Sequence, residues 1–354
     1  MTNIEKYQSL LTGEVDGLLL TSRFSRHYAA MYDIAEGVAV VTKAGCRYFT
    51  DSRYIEAAQN GLQGFEVLET NRENPYSQRI NDAIRDFGVT NLGFEEAYLT
   101  VAEFQSYETK LEAKLIPMNE AISKFRAVKE PYELERMRKA QAITDAAFKE
   151  VLPRIKEGMT EKELCAELIY CLLKNGGEGL SFEPIVVSGP NTSLPHGVPG
   201  DRKLLPGDFI TMDFGVLYQG YCSDMTRTVA LGYATEEMKT VYNTVLQAQL
   251  AGIAVSKAGV LGKEVDAAAR KVITDAGYGE YFGHGYGHSL GLEVHEGPNC
   301  NPTGETPMAE NMVSSAEPGI YLPGKFGVRI EDVVVFQSNG CEILTASPKD
   351  LIII

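Results

Sequence analysis

Two pairs of acidic residues stand at matching places in two apolar segments, and what acids so placed could do is hold metal ions. The segment FITMDFGVLYQGYCSDMTRTVAL carries Asp213 and Asp224 on either side of a turn around Leu217 to Gly220. Antiparallel partners sum to a constant, so a turn centred between Tyr218 and Gln219 sets Asp213 opposite Asp224, with α-carbons roughly 4.5–5.5 Å apart. Like charges so placed destabilise a hairpin unless a cation or a proton lies between them. In another register both would be solvated acids at a strand edge. The segment SSAEPGIYLPGKFGVRIEDVVVF repeats the pattern, and with Pro323-Gly324-Lys325 as its turn Glu317 falls opposite Glu331. Glu331 interrupts an apolar strand, where a carboxylate needs a partner. Solvated surface acids have no reason to recur in this way. Four carboxylates carry four negative charges, which two divalent cations balance. Hard oxygens with one imidazole suit Mn, Co, Fe or Zn, the two ions lying roughly 3.5–4 Å apart.

The nitrogen ligand has to come from five histidines. Four of them, His196, His284, His288 and His295, share the acids' half of the chain, and three lie within GHGYGHSLGLEVHEG. The glycines there let backbone approach a ligand closely and make a helix unfavourable, so His284 and His288 need not face the same way. His196, in the turn-rich SGPNTSLPHG, reads as a donor near the ions that does not bind them. Such a set supplies what a metal hydrolase needs: a ligand, a general acid and an oxyanion stabiliser.

Positioning these groups requires two passes of one pattern. Helices Pro131 to about Val151 and Glu161 to Lys174, then a hairpin over 208–229, form the first; helices Glu236 to Val255 and Lys263 to Ala276, then a hairpin over 311–336, form the second. Thr160 with Glu163 is a capping-box signature, and Gly176-Gly177 ends that helix. Met238, Val241, Tyr242, Val245 and Leu246 mark one apolar helix face. The order predicts a duplicated α+β unit with a pseudo-two-fold axis and a site between its halves. Ahead of it, VDGLLLTS and EGVAVVTKAGCRYFT read as strands and Ala102 to Leu111 as a helix, giving a smaller α/β unit. Pro131 suits the first turn of a new helix, and the boundary is placed near 122–128, nominally dividing 1–122 from 123–354.

Composition restricts the partners. The 354 residues suit two domains. A formal charge of −15 opposes attraction to nucleic acid or anionic lipid. Six scattered cysteines without C-x-x-C spacing read as reduced thiols. No apolar run approaches the ~20 residues of a membrane span and the first residues are unlike a signal peptide, so a cytoplasmic protein is expected.

In order, MDFG (212–215), SDMTRT (223–228), GHGYGHSLGLEVHE (283–296), EPGIY (317–321) and VRIED (328–332) resemble the metallopeptidases of pita-bread fold, closest to Xaa-Pro dipeptidase (prolidase) and Xaa-Pro aminopeptidase. Residues 1–122 resemble the creatinase-type N-terminal domain. The resemblance implies that Asp213, Asp224, His288, Glu317 and Glu331 are the metal ligands, Asp224 and Glu331 bridging both ions. It further implies that His196, His284, His295 and Arg329 line the substrate site, that Mn2+ is the metal with Co2+ and Zn2+ as alternatives, and that the protein is a homodimer. The implied reaction is hydrolysis of an Xaa-Pro bond at the N-terminus of a short peptide or dipeptide, by hydroxide held between the ions. Glu317 would shuttle the proton, and His295 and His196 would stabilise the oxyanion. Methionine aminopeptidase shares the five ligands but normally lacks the leading domain and carries Gln in place of Arg329. A metal-free creatinase lacks the ligands, and an inactive binding scaffold of the same fold would have lost them.

Overall fold

The computed structural model describes residues 1–354. Contacts divide the chain into two units, Met1–Arg126 and Ala127–Ile354. The boundary expected near 122–128 overlaps the end of helix Asn119–Ala127, and the two units divide between Arg126 and Ala127. In the first unit one six-stranded sheet runs in the order Glu66–Glu69, Cys46–Thr50, Val38–Thr42, Gly17–Leu20, Asn91–Phe94, Lys114–Pro117. Val38–Thr42 is antiparallel to both its neighbours, and the outer pairings are parallel. Leu18, Leu19, Val40, Phe49 and Leu92 are fully buried, as apolar strands covered on both faces require.

The second unit contains the duplication. Its first half has helices Pro131–Val151 and Glu161–Lys174, then three antiparallel strands in the order Met225–Ala230, Phe209–Phe214, Ile185–Ser188. Its second half has helices Glu236–Val255 and Gly262–Asp275, then Asp332–Gln337, Val313–Ala316 and Gly287–Ser289 paired in the corresponding order. Glu296–Cys300 and Gly340–Ile343 extend the second sheet at its two edges. No helix is long and apolar enough to cross a membrane.

Local chemistry explains the helix limits. Pro131 occupies the first turn, where its missing N–H costs nothing, and the Glu130 N–H donates to Glu133 Oε2 at 2.9 Å. At Thr160 the capping box forms in both directions, with Glu163 N donating to Thr160 Oγ1 at 3.2 Å and Thr160 N to Glu163 Oε2 at 2.7 Å. Met238, Val241, Tyr242 and Val245 enter the core of the second half while Leu246 is only partly buried. Each such side chain contributes ~1.5–3 kcal/mol of apolar burial.

The first hairpin corrects the expected register. Asp213 pairs with Thr226 and Tyr218 with Tyr221, so the turn is the two-residue loop Gln219-Gly220. Both loop residues have positive φ, 47° and 79°, the pattern of the primed turns whose twist matches a hairpin. Asp213 therefore does not face Asp224 directly; Asp224 lies one diagonal step along, two residues before Thr226. A shift by two preserves the face, so the acids still converge. In the second hairpin Ala316 pairs with Asp332 and Gly319 with Arg329, the register that sets position 317 against 331. Pro318, which has no N–H, interrupts the ladder between these pairings.

Candidate active site

The two hairpins meet through their backbones. Glu331 N donates to Thr226 O at 3.1 Å, and Arg227, itself buried, donates to Glu331 O and to Asp332 Oδ1. Two glycines permit close approaches. A Cβ at Gly215 would lie 2.0 Å from the Ser223 carbonyl oxygen, where the first hairpin bends just before Asp224. A Cβ at Gly287 would lie 2.0 Å from that of Ser315, so only glycine lets the strand with His288 lie against Val313–Ala316. His288 N then donates to Ser315 Oγ at 3.0 Å.

The convergence is complete. A cavity of about 830 Å³ is lined by Asp213, Asp224, His288, Glu317, Arg329 and Glu331, and also by His196, His284 and His295. All nine residues singled out from the sequence thus line one space. Ligand atoms of Asp224, His288 and Glu331 lie within 4.8 Å of one another. His288 Nε2 is 3.6 Å from Asp224 Oδ2 and 3.2 Å from Glu317 Oε1. Its Nδ1 lies 3.2 Å from the Ser289 carbonyl, which orients the ring so that Nε2 points at the acids.

As protein side chains alone this cluster is costly. Burial, reinforced by Asp213, pushes the Asp224 carboxyl well above the usual range, and burial with Asp224 does the same to Glu331. Burial also raises Asp213, with the Arg329 charge opposing it. Burial would raise Glu317 too, but its hydrogen bond to His288 draws it down to about 2. Against its own desolvation, His288 is pushed up to about 9 by Glu317 and Asp224. Asp213 Oδ2 accepts from Arg329 Nη2 at 2.5 Å, whereas Asp213 Oδ1 is buried with no hydrogen-bond partner. A buried, unpaired carboxylate oxygen beside one presented imidazole nitrogen and three more acids is a donor set that fits divalent cations.

Several neighbours hold this set and were not singled out from sequence. Thr226 Oγ1 donates to Glu331 Oε2 at 2.7 Å and accepts from Arg329 Nε at 3.0 Å. Tyr321 OH lies 2.9 Å from both Arg329 Nη1 and His284 Nε2, joining two halves of the pocket wall. The signal for Thr226 was its place two residues from Asp224 on one strand face; Tyr321 ends the EPGIY segment, but its contact with His284, 37 residues away, had no local signal.

Glu161 is the least obvious of these residues. It is fully buried, and its Oε1 accepts from Ser188 N at 2.7 Å, Ser188 Oγ at 2.9 Å and Asn191 Nδ2 at 3.0 Å, while Oε2 accepts from Gly200 N at 2.9 Å. One carboxylate thereby closes both ends of the 188–200 loop, which carries His196 and offers the Pro195 carbonyl to Arg329 Nη1 at 3.1 Å. Glu161→Gln replaces acceptor lone pairs with an N–H pair facing backbone donors. It is expected to lower turnover roughly tenfold through His196 misplacement while bound metal is unchanged. Metal content and steady-state rates measured on one preparation check this; loss of metal would show instead that Glu161 acts on the cluster.

Fold and donor set together define a metal-dependent hydrolase built on a duplicated α+β unit. The chain belongs to metallopeptidase family M24, whose model matches residues 135–338, and residues 4–128 match the creatinase/prolidase N-terminal domain. It is 40% identical over 341 residues to the uncharacterized peptidase YqhT of Bacillus subtilis, covering 96% of each chain. An Xaa-Pro dipeptidase from Bacillus anthracis superposes with a TM-score of 0.95 at 40% identity, and an X-Pro aminopeptidase from Thermotoga maritima with 0.93 at 37%, each covering 99% of both chains. The fold is therefore the pita-bread arrangement with a creatinase-type leading domain.

Proposed function

We propose that the protein hydrolyses the Xaa-Pro bond at the N-terminus of short peptides, with two divalent ions, Mn2+ first among them, held by Asp213, Asp224, His288, Glu317 and Glu331. The observation that carries this reading is the buried carboxylate cluster with the unpaired Asp213 Oδ1 and the presented His288 Nε2. Asp224 and Glu331, drawn from different hairpins and within reach of His288, would hold the ions together with it. The ions, when bound, supply Lewis acidity at the scissile carbonyl and bring a water nucleophile's pKa toward neutrality.

The remaining work falls to side chains. Glu317 accepts the proton of the attacking water and returns it to the leaving proline nitrogen, which becomes a secondary amine. His295, whose ring centroid is 4.2 Å from that of His288, is kept below the usual imidazole range by burial and by the His288 charge. Its neutral ring retains one N–H, which with His196 donates to the developing oxyanion. Arg329 fixes Asp213, and Tyr321 ties Arg329 to His284. The tertiary amide before proline offers no N–H, so the leaving side needs an apolar slot without an acceptor. Phe182, Pro184 and Val198 on the cavity wall supply apolar surface of that kind.

Chelated protein resupplied with Mn2+, Co2+ or Zn2+ and offered Xaa-Pro, Xaa-Pro-Xaa and Met-Ala-Xaa peptides tests the reading. Release of Xaa from proline-containing peptides alone is expected. Preferential cleavage of Met-Ala-Xaa would indicate a methionine aminopeptidase, and inertness with every metal a binding scaffold.

A further inference from the structure

The wall of the cavity carries information on substrate length, and this inference rests on the Xaa-Pro reading above. A dipeptide ends in a carboxylate immediately after proline, so a site built for it needs a cation close to the reacting bond. Arg329 is the one lysine or arginine lining the cavity. It is 3% exposed, and its guanidinium is committed to Asp213, Thr226, Tyr321 and the Pro195 carbonyl. Its charge is therefore spent within the protein. What the same wall offers is carboxamide. Asn299 and Asn301 both line the cavity, just beyond His295 in the chain. Asn301 Oδ1 accepts from Thr303 N and Thr303 Oγ1, which leaves its amide N–H groups for a ligand, and the Asn299 side chain makes no hydrogen bond within the protein. A carboxamide both donates and accepts, which matches a peptide group presenting N–H and C=O and serves a carboxylate poorly. The cavity, about 830 Å³, is near the upper end of ordinary small-ligand pockets and has room for a chain that continues past proline.

We infer that Asn299, assisted by Asn301, reads the peptide group that follows proline, and that the protein prefers Xaa-Pro-Xaa and longer peptides to Xaa-Pro dipeptides. Asn299 is on this view a specificity-determining residue that acts on the leaving side of the substrate.

The test compares kcat/KM of the Mn2+-loaded protein on Ala-Pro, Ala-Pro-amide and Ala-Pro-Ala, read as released alanine. Ala-Pro-Ala and Ala-Pro-amide are expected to exceed Ala-Pro by on the order of tenfold, since only the dipeptide puts an unpaired carboxylate against the wall. Asn299→Ala should lower the Ala-Pro-Ala value several-fold, mostly through KM, with little change on Ala-Pro. Asn299→Lys should raise the ratio of Ala-Pro to Ala-Pro-Ala by supplying the missing cation. Equal or faster cleavage of Ala-Pro by the parent protein would overturn the length inference while the Xaa-Pro reading stood. Equal losses on all three substrates in Asn299→Ala would overturn the role of Asn299. Failure to cleave any of the three would remove the Xaa-Pro reading and this inference together.

Discussion

Asp224→Asn and Glu331→Gln are each expected to reduce kcat/KM on an Xaa-Pro peptide by roughly a thousandfold or more while the protein stays folded. The two acids are buried among other carboxylates, and Asp224 lies 3.6 Å from His288 Nε2. An amide has the shape of the carboxylate but offers one neutral oxygen, so each substitution removes a ligand charge from a site that must balance two divalent ions. The lost Lewis acidity is worth several kcal/mol at the transition state, and ~4 kcal/mol corresponds to about a thousandfold. The fold should tolerate the change, because burial and like charge already drive both carboxyls toward their neutral forms. A neutral amide in place of a reluctant acid relieves repulsion, so the metal-free variants should melt no lower than the metal-free parent. Metal stoichiometry, melting temperature and rate measured together separate the possibilities. Wild-type rates in either variant would remove these residues from the ligand set, and a collapsed melting transition would make their role structural.

Much of the fold was legible because its punctuation is local. Pro131, Thr160 with Glu163, and the apolar spacing from Met238 to Val245 each fix a helix end or face within a few residues. The second hairpin was equally plain: Pro323-Gly324 forms a turn with Gly324 at positive φ and Lys325 N bonded to Leu322 O at 3.0 Å, leaving one register. The first hairpin was misread because Gln219 is an unusual residue for a left-handed turn position, and the pairing moved by two with it. The site survived the error because a shift by two returns each side chain to the same face. Contacts that join distant segments were not legible. Glu161 collects Ser188, Asn191 and Gly200 from a loop with no periodicity, and Tyr321 meets His284, 37 residues away, through the tertiary packing of the second half.

The stability gained on loading the protein with metal should grow as pH rises. Asp224 and Glu331 have folded-state pKa values raised above those of the unfolded chain, so their contribution to metal-free stability is full below the ordinary carboxyl range and is lost as pH climbs through the raised values. Asp213 shifts in the same direction. His288, raised to about 9, contributes stability that is complete below the usual imidazole value and is lost on the way to about 9. Glu317, lowered to about 2, has the opposite sign: its contribution is present above the ordinary carboxyl value and disappears only as pH falls toward about 2, so it is constant near neutrality. The ligand groups that change between about pH 5 and about pH 9 therefore weaken the metal-free protein as pH increases, while His284 and His295, lowered by burial, oppose them only below the usual imidazole value. Loading reverses the balance, because ions bind the deprotonated ligands and displace their protons. The difference in melting temperature between Mn2+-loaded and chelated protein should accordingly widen by roughly 5 °C or more from about pH 5.5 to about pH 8. Groups elsewhere in the chain titrate alike in both forms and cancel from this difference. Calorimetric titration of Mn2+ in buffers of differing ionisation heat should show net proton release at neutral pH, and a gap in melting temperature independent of pH, with no proton release, would mean that the cations bind somewhere other than among these acids.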